Sequence, residues 1–511
     1  MLQAIRGQPS RRQENQIIPF PAPFGGWNAR DDITDMPPQD ALVLDNLIPG
    51  DGSVALRKGY AEHATGLGTA VISVMPYAAP SGTEKLFAST VNTVWDVTSA
   101  GAATSAVASL TNGDWSHTMF ATSGGNFLVM CNGADDVLNY DGSSWTEPAI
   151  TGATSNKLIS VMSHQSRLWF IEEDSMKVWY MPTLSIAGAA TSIDFGGLSR
   201  LGGSLWAMAS WTRDSGDGIE DLAVFITSKG EVHVYSGSDP SSSTTWSRVG
   251  TFRIAEPIGR KCTIKVGGDV GILTTQGLVP LSGVLDKAQS AQSQVAITDK
   301  IRDAFNQAYL AQSGSSGWGI QEYPLGKLLL INIPVADQAI YYQFVMNVQS
   351  GQWCRFTGIN ATSWGLLNNQ LYFGGVNGTV YKYTGTSDNG EDITAKAVTA
   401  FSMMGSPSYK YVRRILPLFF GSAGYRPQVG LRFDYSEIEN LSEASETPTP
   451  GDDWDEEDWD DGDWAPPESP NVTWQSVSGK GTSIAVVVVS RSQEEIAYHG
   501  AKLEIEVGGH L

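Results

Sequence analysis

Two groups of carboxylates are the residues best suited by type to do chemistry: Glu172 and Glu173 beside Asp174, and Asp135 beside Asp136. A general acid and a nucleophile or base drawn from such a pair is what glycoside hydrolysis needs. Both groups fall at turns after apolar strands, where solvated acids are expected without any catalytic role. The six histidines, His63, His117, His164, His233, His499 and His510, are scattered, and no HExxH or GxSxG motif occurs. The string nearest to a phosphate loop, Gly479-Lys480, has Trp474 where the first glycine should stand and Gly481 after the lysine. Cys131, Cys262 and Cys354 lie far apart with no CxxC pair, so they read as small buried hydrophobes rather than a zinc site or disulfide framework. The expectation is a non-enzyme without cofactor or metal.

Elements that could position such groups recur along the chain. From about residue 70 to 400 a short apolar strand, a Gly/Asn/Ser turn, a second apolar strand, a tight turn and a third strand return seven times. The second strands begin near Leu86, Phe127, Leu168, Leu222, Val270, Leu328 and Leu371. Their spacing suits propeller blades and is shorter than the roughly 100 residues of a β-sandwich. A lone small sheet leaves both faces bare, whereas radial stacking buries them, so the repeat implies a ring. Trp145, Trp246 and Trp353 each follow a turn and are expected on outer strands, packed between neighbouring blades. Asp141-Gly-Ser-Ser-Trp145 shares a turn with the Asp box of sialidases but lacks its fuller repeated form. One helix, Asp299–Tyr309, should bury Ile301, Phe305 and Ala308, with Thr298 as candidate cap.

The expected fold is therefore mostly β: a β-propeller-like repeat of about seven blades over 70–400, an N-terminal arm over 1–69 and a small C-terminal β domain over 401–511. Strands of that last domain are expected at 411–420, 428–435, 483–489 and 501–507. It contains an acidic, Trp-rich loop, 443–470. Within it nine of the twelve residues from Asp452 to Asp463 are Asp or Glu, interleaved with Trp454 and Trp459 and followed by Trp464. Such a run is either a solvated linker or a segment that docks on a basic partner through its indoles. The formal net charge of −21 repels polyanions and argues against tight nucleic-acid binding. The polar start of the chain is not expected to be a secretory signal, and no apolar run approaches the roughly 20 residues of a membrane helix.

The N-terminal segment is the most distinctive: Phe24-Gly-Gly-Trp27-Asn28-Ala-Arg30-Asp31, Met36-Pro-Pro-Gln-Asp40-Ala41, Leu44-Asp-Asn-Leu-Ile-Pro49 and Leu56-Arg57-Lys58-Gly59-Tyr60. Glycines and prolines there fix many bends, as in an arm shaped to a surface. It would either close the first blade in cis or contact another subunit, with Arg57-Lys58 facing Asp31, Asp32 or Asp45 in some neighbour. Together with Ile297–Phe305 this segment resembles the propeller-containing tail tube or nozzle proteins of short-tailed bacteriophages. The resemblance implies a virion protein assembled in the host bacterial cytoplasm. It also implies a homo-oligomeric ring, expected to be a hexamer, below the portal-adaptor proteins. Tail fibre or tail-tip proteins would be further partners, with DNA only in transit and no membrane span. Candidate partner contacts are Phe24, Trp27, Arg30 and Arg57, with Trp454, Trp459 and Trp464. The competing expectations are a receptor- or glycan-binding tail propeller and a plug that stabilises packaged DNA.

Overall fold

Tight hairpins organise most of this chain, and their geometry follows from residues that tolerate positive φ. Gln165 (φ 48°) and Ser166 (φ 56°) join two strands, as do Asn368 (φ 52°) and Asn369 (φ 57°). Two successive left-handed residues twist with the strands they connect. In the computed structural model, residues 15–507 are described apart from 81, 83, 215–218, 285–291, 293, 336–339, 422–426, 444–468 and 472. The chain forms two compact units, residues 58–390 and residues 1–57 with 391–511.

Among the described residues, the first unit is a ring of seven antiparallel blades. Blade 1 comprises Ser73–Ala78, Glu84–Ser89, Thr93–Asp96 and Thr104–Ala108; blade 2 comprises Ser116–Thr122, Gly125–Cys131, Leu138–Tyr140 and Trp145–Thr146. Blade 3 is Leu158–His164, Arg167–Glu172, Lys177–Tyr180 and Thr191–Asp194, and blade 4 is Leu205–Asp214, Ile219–Thr227, Glu231–Gly237 and Trp246–Arg253. Blade 5 has three strands among the described residues, Thr263–Val266, Asp269–Thr274 and Gly277–Pro280. Gly319–Tyr323, Leu328–Pro334, Tyr341–Asn347 and Gln352–Phe356 make blade 6. Blade 7 is Ala361–Leu367, Gln370–Gly375 and Val380–Tyr383, completed by Tyr60–Thr65 from far earlier in the chain.

The innermost strands touch in order around the circle, and that of blade 7 returns to that of blade 1. All seven second strands expected from the sequence are present. They were legible because they are buried on both faces, as in Leu328–Pro334, where every residue is buried. The closing strand changes one expectation. Tyr60–Thr65 closes the last blade rather than the first, because it pairs along its length with Val380–Tyr383 and only its last two residues, Ala64 and Thr65, reach Gly101–Ala102 beside blade 1. The units accordingly divide after Arg57 and after Gly390, earlier than 69 and 400 at both junctions.

Seams between blades are aromatic, and the three expected tryptophans lie in them. Trp145 meets Phe87 of blade 1 edge-on at 4.8 Å, and Trp246 stacks on Trp169 of blade 3 at 5.3 Å. The buried Trp353 donates its Nε1 proton to the carbonyl of Ile297 at 3.2 Å. Such ring pairs contribute about 0.5–1.5 kcal/mol beyond their buried area. The helix, Arg302–Gln312 preceded by a 3₁₀ turn at Asp299–Ile301, buries Ile301, Phe305 and Ala308 as expected. Thr298 does not cap it. Its hydroxyl instead accepts the Leu278 N–H at 3.2 Å, since Thr298 is itself buried against blade 5.

The second unit joins both ends of the chain. Ile496–Val507 pairs with Gln16–Pro21 on one side and Lys410–Gly421 on the other. Ile393–Thr399 lies between Asp40–Asp45 and Ile484–Ser492, followed by Gln428–Phe433. Leu503 and Ile505 are buried while Glu504 and Glu506 alternate outward, which is the expected single wet face. The edge strand Gln16–Pro21 carries Pro19 and Pro21, which lack the N–H that further strand addition would use.

Candidate functional site

The N-terminal motif folds around one amide. Asn28 donates from Nδ2 to Asp40 and to Asp31, both at 2.8 Å, and its Oδ1 accepts the N–H groups of Arg30 and Asp31 at 3.1 Å. Gly25 is required, since a Cβ there would lie 2.1 Å from the Asp40 carboxylate. Gly26 supplies φ +84°. Arg57 is 2% exposed and donates from Nε to Asn46 at 2.9 Å, while Asn46 donates to the carbonyl of Thr394 at 2.8 Å. Of the candidate contact residues, Trp27 and Arg57 are thus buried within their own chain. Phe24 is half-buried, and Arg30 reaches the surface, paired with Asp31 at 2.7 Å. Arg57 bonds Asn46 within its own chain, brought there by the strand Val54–Leu56 pairing back onto Leu47–Pro49. Trp454, Trp459 and Trp464 lie outside the described residues.

The candidate acids hold turns. Glu172 accepts the indole proton of Trp179 at 2.8 Å, and Asp135 accepts the N–H groups of Thr111 and Asn112 together with the amide of Asn132. Asp136 and Asp174 are exposed. Asp141 is held down at about 2 by the N–H and hydroxyl groups of Ser144 and Ser143, an Asx turn rather than a reactive carboxyl. Among the described residues, no group of His, Cys, Asp and Glu is arranged to hold a metal ion. The three cysteines are buried free thiols.

One polar cluster was not anticipated. It sits at the end of the ring where the innermost strands begin. Lys261, just before the inner strand of blade 5, pairs with Asp114 at 2.5 Å and donates to Ser73 Oγ of blade 1 at 3.2 Å. Arg260 pairs with Glu173 of blade 3 at 3.3 Å, and Lys157 approaches the same carboxylate at 3.5 Å. The Lys261 charge holds Asp114 below the usual carboxylate range. Burial, with Lys261 nearby, pushes His117 down to about 4. Blade-entry residues with charge were the available signal, but only ring closure brings them together.

No protein-family model matches the sequence, and no curated protein is similar to it. Among solved structures, YCF48 bound to D1 peptide is similar at 10% identity and TM-score 0.37, over 68% of this chain and 99% of that one. The WD40 β-propeller domain of Doa1 (11%, TM-score 0.38, 64% and 97%) and the Cps50 (Swd1) β-propeller domain of Myceliophteria thermophila (11%, 0.39, 64% and 100%) are similar as well. These likenesses concern fold alone. The class is defined by the blade topology itself: a mostly β protein built, among the described residues, on a seven-bladed propeller, with a second β unit formed by the two ends of the chain.

Proposed function

We propose that this chain is a structural protein of a phage tail, a tube or nozzle component whose copies form a ring below the portal-adaptor and let the genome pass during ejection. The observation that supports this reading best is how the distinctive N-terminal residues are used. Asn28 and Asp40 brace the motif's own loop, and Arg57 orients Asn46, which bonds Thr394 in the strand Ile393–Thr399 that follows the propeller, so the motif carrying the resemblance is architectural. Of the candidate catalytic acids, Glu172, Glu173 and Asp135 are likewise engaged in hydrogen bonds and ion pairs. A net charge of −21 suits a wall past which DNA moves without adhering, with screening beyond about 8 Å at physiological salt.

The reading is tested by the mass of the purified full-length chain, alone and mixed with its portal-adaptor assembly. A closed ring of defined copy number, formed alone or on the adaptor, is expected. A chain that stays monomeric under both conditions and binds glycans would overturn it in favour of a receptor-binding propeller.

A further inference from the structure

We infer that Arg260 and Lys261 form an ionic latch across one end of the ring, tying blade 5 to its opposite side and shielding Cys262 and Cys131. The ring order carries the argument. Blade 5 neighbours blades 4 and 6, yet Lys261 bonds Ser73 in blade 1 and Asp114 between blades 1 and 2, and Arg260 bonds Glu173 in blade 3. None of these partners belongs to a neighbouring blade. Both side chains therefore reach across the end of the ring.

A physical reason for such a tie is visible in the blade itself. With three strands among the described residues, blade 5 has one ladder fewer than the four-stranded blades to hold it. The pairs are solvated, with Lys261 44% and Asp114 56% exposed, and Arg260 40% exposed. Solvated pairs are individually weak and are screened by salt, so the latch is built to open while the blades stay folded.

Two native thiols report on it. Cys262 adjoins Lys261 and is 1% exposed, and Cys131, which feels the Arg260 charge, is fully buried. Cys354 sits in the outer strand of blade 6, away from the latch, and is an internal control. The experiment measures peptide-resolved alkylation of the full-length protein by iodoacetamide at low and high salt, about 0.05 M and about 1 M.

Cys262 should label roughly fivefold faster or more at high salt while Cys354 does not change. The variant Arg260→Gln/Lys261→Gln should label Cys262 at the fast rate already at low salt and lose the salt response. Asp114→Asn, which leaves both latch side chains in place, should do so in part, and serves if the double variant fails to fold. A wild-type Cys262 rate indifferent to salt, or a Cys354 rate that rises in step with it, would overturn the latch.

Discussion

Acid should loosen the seam between blades 3 and 4 through a single imidazole. His164, 3% exposed, shares a proton with Ser210 Oγ at 2.9 Å and lies against the rings of Trp169 and Trp246. Burial pushes it down to about 4; the charge of Asp221 opposes this and that of Lys265 adds to it. The folded pKa lies below the unfolded value of 6.5, so the unfolded chain takes up the proton first. Stability is therefore complete above that value and is lost as pH falls toward 4. Integrated between about pH 7.5 and about pH 4.5, the loss from this one group is on the order of 2–3 kcal/mol. His117 and His233 are depressed in the same direction, so the wild-type total is larger and the contribution of His164 must be read by difference. The assay is hydrogen exchange at Leu158–His164 and Leu205–Asp214, corrected for intrinsic rates, because a protein of two units need not unfold in one step. His164→Gln should lose about 2 kcal/mol less protection than wild type on acidification. Equal losses in the two proteins would refute the reasoning.

Three further outcomes are expected. Gly59→Ala would place a Cβ 1.9 Å from the Ser387 carbonyl, so the closing strand should detach and limited proteolysis should cut beside Tyr60–Thr65; an uncut variant would contradict the closure. Trp353→Ala removes a fully buried indole and its bond to Ile297, and should cost about 3–5 kcal/mol in denaturant titration, against little change for an exposed Leu310→Ala. The pair Glu172→Gln/Glu173→Gln should leave particle infectivity unchanged, and a glycan turnover measured in wild type and abolished in that pair would revive a hydrolase.

Legibility followed burial. Second strands of blades are covered on both faces and read as apolar runs, so their positions were visible in residues such as Leu328-Leu-Leu-Ile331. Outer strands are half wet and weakly patterned; Tyr60-Ala-Glu-His-Ala-Thr65 gives no sign that its partner lies more than 300 residues onward. Thr298 fits a helix cap by type, but a buried N–H in blade 5 competes for the same hydroxyl. Trp27 and Arg57 have the composition of contact residues, and the fold of their own chain buries both. The latch residues are ordinary surface charges in sequence, and their meeting is a product of topology.

The most direct test of the structural-virion account is the position and copy number of this chain in a purified particle, determined by electron microscopy. The account predicts a ring of copies, each with a seven-bladed propeller, below the portal-adaptor and around the path of the genome. Copies found only at fibre tips, or inside the capsid on packaged DNA, would contradict it.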